Sequence, residues 1–190
     1  MKTRALLSLP RNLGRDLAGA VSVEFALLLP VLLTLFFGCY ELSNLLLAEV
    51  KLNDATQTAA DLTAQTKLGY VLQNSDFSNF DSAATEVMTP LPTANLQIAY
   101  ASVTYSSGAA VIDWHKEWNG AAPITLTSVP ANLGANGTQD SVIVVHARYV
   151  YSSPLSYLLS STYTLSQTSY DRPRYVACIP SYLNTNNACP

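Results

Sequence analysis

Between Ala20 and Tyr40 the chain runs for 21 residues whose only ionisable side chains are Glu24, Cys39 and the terminal Tyr40. About 20 apolar residues cross a bilayer as a helix, so this run decides what the rest of the chain can be. Three fates compete for it: a secretory signal peptide, a lipoprotein signal and a retained anchor. A signal peptide carries a short apolar core of about 7–15 residues closed by a small-x-small cleavage site. This run is longer and ends in Phe36-Phe37-Gly38-Cys39-Tyr40-Glu41. Lipoprotein processing needs small residues before the cysteine, and Phe37 spoils that pattern. The retained anchor is the reading that fits.

Charge gives the anchor a direction. The first 19 residues hold Lys2, Arg4, Arg11 and Arg15 against Asp16 alone, while the remaining chain carries 6 Lys+Arg against 12 Asp+Glu. By the positive-inside tendency the N-terminus is expected in the cytoplasm and everything after the anchor outside the inner membrane. No basic patch survives in the main body, which argues against a nucleic-acid partner. Only 12% of the 190 residues are charged, against about 25% in a typical soluble domain. One membrane segment plus one modest outer domain accounts for that deficit.

Glu24 is the costly residue. A charged group at a bilayer centre costs ~2.5–3.5 kcal/mol on insertion scales, so a carboxylate there marks function by default. The bland alternative is a side chain that snorkels, unpaired, to the cytoplasmic interface. Glu24 stands five residues past Gly19, in the order Gly19-Ala20-Val21-Ser22-Val23-Glu24-Phe25, behind the basic leader Arg11 to Asp16. This Gly-x-x-x-x-Glu-Phe stretch resembles the cleavage and assembly motif of type IV prepilins. Its Glu-Phe form is similar to that of the TadE-like pseudopilins of tight-adherence (Tad, or Flp) pili. Leu29-Pro30 resembles a recurrent Leu-Pro in that family's membrane helix.

The resemblance implies that a prepilin peptidase cuts between Gly19 and Ala20, leaving the helix attached. Glu24 then becomes the fifth residue of the mature chain. A new ammonium on Ala20 and the Glu24 carboxylate would neutralise each other between neighbouring subunits, and Phe25 completes the motif. Pro30 is expected to kink the helix, and Gly38 to let a partner helix approach closely. Expected partners are the prepilin peptidase, sibling pilin or pseudopilin subunits, the inner-membrane pilus platform and membrane lipid. The rival reading is a single-pass periplasmic scaffold or sensor that is never cleaved.

The rest of the chain reads as α+β. Leu45, Ala48, Leu52, Ala55, Ala59 and Leu62 recur at helical spacing, a narrow, alanine-rich stripe that demands close packing. Phe77, Phe80, Ala84, Val87 and Met88 predict a second helix over Asp76 to Pro90. Short β-rich runs follow at Leu96–Tyr105 and Ala110–Trp114, joined at Ser106-Ser107-Gly108. Val142–Tyr151 is the clearest strand, with Ile143, Val145, Ala147, Tyr149 and Tyr151 on one face, and Thr162–Tyr170 is the last. Asn136-Gly137 is a turn dipeptide. The block from Val142 to Arg174, with its Tyr170-Asp171-Arg172-Pro173-Arg174 finish, is similar to the C-terminal region of TadE-like proteins. The predicted division is a leader at 1–19, a membrane helix at 20–47 and an outer domain at 48–190. Within the latter lie a stalk at 48–72, a sheet over about 96–176 and a cysteine loop at 178–189.

Cys178 and Cys189 would close that loop as a disulfide in an oxidising compartment, with unpaired thiols or a mixed disulfide as the alternatives. Cys39 reads as a buried small hydrophobe. His115, in Trp114-His115-Lys116-Glu117-Trp118, and His146 sit on separate elements with no nucleophile motif, no zinc spacing and no phosphate loop nearby. The expectation is a protein that is no enzyme and takes no metal or cofactor. The flanking tryptophans read either as a sticky surface or as a hairpin closure. Tyr149, Tyr151, Tyr157 and Leu158 read either as a docking surface or as ordinary half-buried sheet residues.

Overall fold

The structure is a computed structural model, described over residues 17–106, 109–130, 133, 140–153 and 162–184. The chain divides into two compact units, Met1–Leu42 and Ser43–Pro190. The first helix, α1, covers Leu17–Ala64 and belongs to both. In the first unit it carries the apolar run, whose most hydropathic stretch has no side chain buried in the protein. Cys39 is therefore exposed rather than buried as expected. Pro30 lies inside α1, where it offers no N–H to the preceding turn. The Thr34 hydroxyl donates to the Pro30 carbonyl at 2.8 Å.

In the second unit α1 turns its alanine stripe inward. Ala48, Leu52, Ala55 and Ala59 are all fully buried, as their 4-3-4 spacing demands. Thr56 and Thr63 lie on the same covered side and satisfy their hydroxyls on the carbonyls of Leu52 and Ala59, one turn back. The helix stops at Ala64, short of the expected stalk end at 72. Its end is set from far away in sequence: the Arg174 N–H donates to the Ala64 carbonyl at 3.0 Å, and the Arg174 guanidinium pairs with Asp61. Gly69, at φ +77°, then turns the chain, a conformation that glycine adopts without strain.

The second helix, α2, spans Asn74–Met88 and opens on a capping box between Gln73 and Asp76, which satisfies two otherwise orphaned N–H groups. It buries Phe77, Asp81, Ala84 and Met88. Four antiparallel strands follow: β1 Leu96–Ser106, β2 Ala109–Trp118, β3 Asp140–Ser152 and β4 Thr162–Asp171, in the spatial order β2-β1-β3-β4. The α+β expectation holds, and β2 runs four residues beyond its predicted end at Trp114. Residues 107–108, at the tip of the predicted hairpin, lie outside the described residues.

Alternation along the strands sorts the two faces of the sheet. Ile98, Tyr100, Ile143, Val145, Ala147 and Tyr149 join the buried residues of both helices in one core. Ala99, Ala101, Val103, Val142 and Val144 form a second, smaller core with Ile124 and Val129 from the long β2–β3 connection. Tyr105 fastens that connection by donating to the Pro130 carbonyl at 2.9 Å. Tyr149 and Tyr151 are buried, so they are core residues rather than a docking surface; Tyr157 and Leu158 lie outside the described residues. Trp114 is neither a sticky surface nor a hairpin closure. It is fully buried, with its indole N–H donating to the Ile179 carbonyl at 2.7 Å.

The C-terminal segment ties the layers together. Leu72 and Ser181 form a parallel bridge, with Leu72 N–H on the Pro180 carbonyl and Tyr182 N–H on the Leu72 carbonyl, both at 3.0 Å. Cys178 is disulfide-bonded; Cys189, its expected partner, lies outside the described residues.

Phe77 is the hub of the main core, meeting the rings of Phe80, Tyr100 and Trp114 edge-on at centroid distances of 6.0, 5.6 and 5.5 Å. Truncating a buried phenylalanine leaves a cavity that costs about 3–5 kcal/mol. Phe77→Ala is therefore expected to lower unfolding stability by that amount in denaturant titrations of the detergent-solubilised chain. A loss under 1 kcal/mol would contradict this packing.

Candidate functional site in the N-terminal helix

Gly19, Ala20, Glu24, Phe25, Pro30 and Gly38 all lie on α1 within the first unit. At 1.5 Å per residue the stretch from Gly19 to Tyr40 is about 30 Å long, which matches a hydrocarbon core of similar thickness. It is the one helix among the described residues long and apolar enough to cross a membrane. Gly19, Ala20, Glu24 and Phe25 are exposed along it. Ala20 and Glu24 stand four apart and therefore share a face, one turn from each other. No ion pair of Glu24 is formed among the described residues.

The glycines answer a specific question. A Cβ built on Gly19 or on Gly38 meets nothing within 4 Å, so neither glycine is required by packing among the described residues. Around Gly38 the helix surface forms a shallow recess with Val31, Thr34, Leu35, Cys39 and Leu42. These positions recur at the spacing of one helix face, with the small residues Thr34 and Gly38 at its centre. Such a face allows another helix to come close in lipid, where small residues and van der Waals packing drive association.

The two histidines are not brought together. His115, on β2, is exposed and pairs with Glu117 at 2.6 Å. His146, on β3, contacts the Thr168 hydroxyl at 2.9 Å. It lines a recess of about 190 Å³ with Thr125, Ser128 and Thr168, whose lining includes no carboxylate. Burial and the nearby Arg148 charge push its pKa down. Among the described residues no group of three His, Cys, Asp or Glu side chains could hold a metal ion.

In the second unit, two buried acids escaped the sequence reading. Asp81, on α2, is 6% exposed and accepts the Tyr100 hydroxyl at 2.8 Å. A signal existed: Phe77, Asp81, Ala84 and Met88 follow a 4-3-4 spacing, so an acid falls on the apolar face. Asp113 is fully buried at a register shift between β1 and β2, where a bulge re-aims a side chain. Its Oδ2 accepts the hydroxyls of Thr104 at 2.6 Å and Ser102 at 3.1 Å. The Cys178 sulfur lies 3.6 Å away. Burial raises the Asp113 pKa, and the two hydroxyls pull against the rise.

Asp81 carries a testable consequence. Burial pushes its pKa from 3.8 up to about 6, partly opposed by the Tyr100 hydrogen bond and the Lys116 charge. A folded-state pKa raised above the unfolded value means that the native state binds the proton more tightly. The associated stability is present below about pH 4 and is lost as pH rises through about 6. At 1.36 kcal/mol per unit the loss is at most ~3 kcal/mol, and solvent screening of the carboxylate reduces it. Asp81→Asn keeps an acceptor for Tyr100 without the charge. The variant is expected to be more stable than wild type at pH 7.5 and equal to it at pH 4, read by denaturant unfolding at both. A variant less stable at pH 7.5 would contradict this account.

Residues 19–61 match the model of the family described as TadE-like protein. That stretch is α1 from the glycine of the motif to within three residues of its end, and over it the chain is similar to TadE-like proteins, which points to the Tad pilus system. No match was found among the curated proteins or among the solved structures.

Proposed function

We propose that this chain is a minor pilin or pseudopilin of a Tad/Flp surface pilus, cut by a prepilin peptidase after Gly19 and then assembled through its N-terminal helix. One observation carries the reading. The TadE-like match begins at a glycine for which packing among the described residues has no use. A residue that the fold does not need, at the head of a membrane-length helix, is one that another protein reads. The leader stays in the cytoplasm and the outer domain lies beyond the inner membrane. The work of the protein is assembly for surface adhesion, not catalysis, and His115 and His146 serve the sheet surface.

Glu24 has a defined role in this scheme. After cleavage the Ala20 ammonium of one subunit neutralises the Glu24 carboxylate of its neighbour in a medium where either charge alone is costly. Losing one partner of such a buried pair costs roughly 3–5 kcal/mol, enough to set the register between helices. Pro30 and Gly38 shape the face on which neighbours pack.

The decisive measurement is the N-terminal residue of the protein purified from membranes of cells with an active prepilin peptidase. The mature chain is expected to begin at Ala20. Gly19→Val, which meets open space in the fold, is expected to keep residues 1–19. Glu24→Gln is expected to be cut normally but to co-purify with sibling pilins at least tenfold less. A wild-type chain that retains its leader in those cells would overturn the reading and leave an uncleaved periplasmic scaffold.

A further inference from the structure

The two edges of the sheet are built differently. Along β2 the ladder is interrupted by the register shift at Asp113, and His115, Lys116 and Glu117 follow it. Bulges and charges are the usual means of keeping an edge strand from recruiting another. β4 has none of them. It pairs with β3 from Ser152↔Thr162 to Ile143↔Asp171 with no shift in register. Its sequence, TYTLSQTSYD, holds no proline, no glycine and no charge before Asp171. Among the described residues no strand pairs with its outer side. An edge without register shift, neutral over its first nine residues, presents a row of N–H and C=O groups left open among the described residues.

We infer that β4 pairs antiparallel with β4 of a second copy of this chain, about a two-fold axis at Ser166. Charge argues for this occupant. In that register Thr164 lies opposite Thr168 and Thr162 opposite Tyr170, every pair is neutral, and Asp171 falls outside the pairing. Hydroxyl and aromatic cross-strand pairs of this kind are favourable. The same register places like faces on the same side, so the two helix-covered faces continue into one eight-stranded sheet. A foreign extended peptide would instead want pockets for its alternate side chains. The outward residues Thr162, Thr164, Ser166 and Thr168 form a flat row of small hydroxyls. A two-fold contact closes on itself and does not propagate, so it joins two subunits and stops. This goes beyond the proposed place in a pilus and is independent of cleavage after Gly19.

One strand pair is a small contact, so covalent trapping in membranes is the suitable probe. The full-length chain is used in a Cys39→Ser background, with mild oxidation as the trigger. Directly opposed residues of antiparallel strands have Cα atoms ~4.5–5.5 Å apart, within disulfide reach. Ser166→Cys is expected to form a dimer of twice the chain mass at least ten times faster than Thr164→Cys alone. A mixture of Thr164→Cys and Thr168→Cys chains is expected to trap as well. Adding Ser166→Glu to that mixture should abolish trapping, because two carboxylates then face each other across the axis. Its melting temperature should hold, since in each monomer the new carboxylate sits beside Arg148, the β3 partner of Ser166. Three results would overturn the inference: no trapping at 166, equal trapping at every β4 position, or a trapped partner that is a different protein.

Discussion

The second unit depends on the core that α1 shares with α2 and the sheet. Ala48, Ala55 and Ala59 give the helix a nearly smooth side, with Leu52 as the one large side chain among them. Small residues let the helix axis approach until the larger groups come from the other layers: Phe77 from α2, Tyr100 and Trp114 from the sheet. Larger side chains along this stripe would lift the helix and open the core at every level. Interiors packed to crystal-like density tolerate such overfilling poorly. The remaining features, including the capping box of α2 and the bridge between Leu72 and Ser181, assume that this spacing is already set.

What the sequence made legible follows the range of the interaction concerned. The stripe from Leu45 to Leu62 and the inward row Ile143 to Tyr151 were readable because periodicity is local: each residue declares its face through neighbours a few positions away. The second helix could be read within two residues at each end for the same reason. The motif at Gly19 to Phe25 was readable for a different reason, since a carboxylate in a membrane-length run is expensive enough to stand out.

The failures share a cause. No breaker marks the end of α1 at Ala64; the helix ends where Arg174, over a hundred residues on, supplies a donor to the last carbonyl. Asp113 breaks the alternation of β2 because Ser102 and Thr104 wait for it on β1. Trp114 looked like a surface residue among charges, and it is buried because the C-terminal segment returns to cover it and accept its N–H. Each was decided by a partner distant in sequence, which local pattern does not record.

The fastening at the end of α1 has a mechanical side. Arg174 holds Asp61 by its guanidinium and Ala64 by its backbone, at the far end of a helix whose inner side is buried from Ala48 onward. A tug along the helix axis would find no loose tip from which to peel. The alanine face and the Arg174 clasp would have to slide together. Geometry of that kind resists by shear, with the load shared along the whole packed length, and it yields at higher force than one that unzips turn by turn.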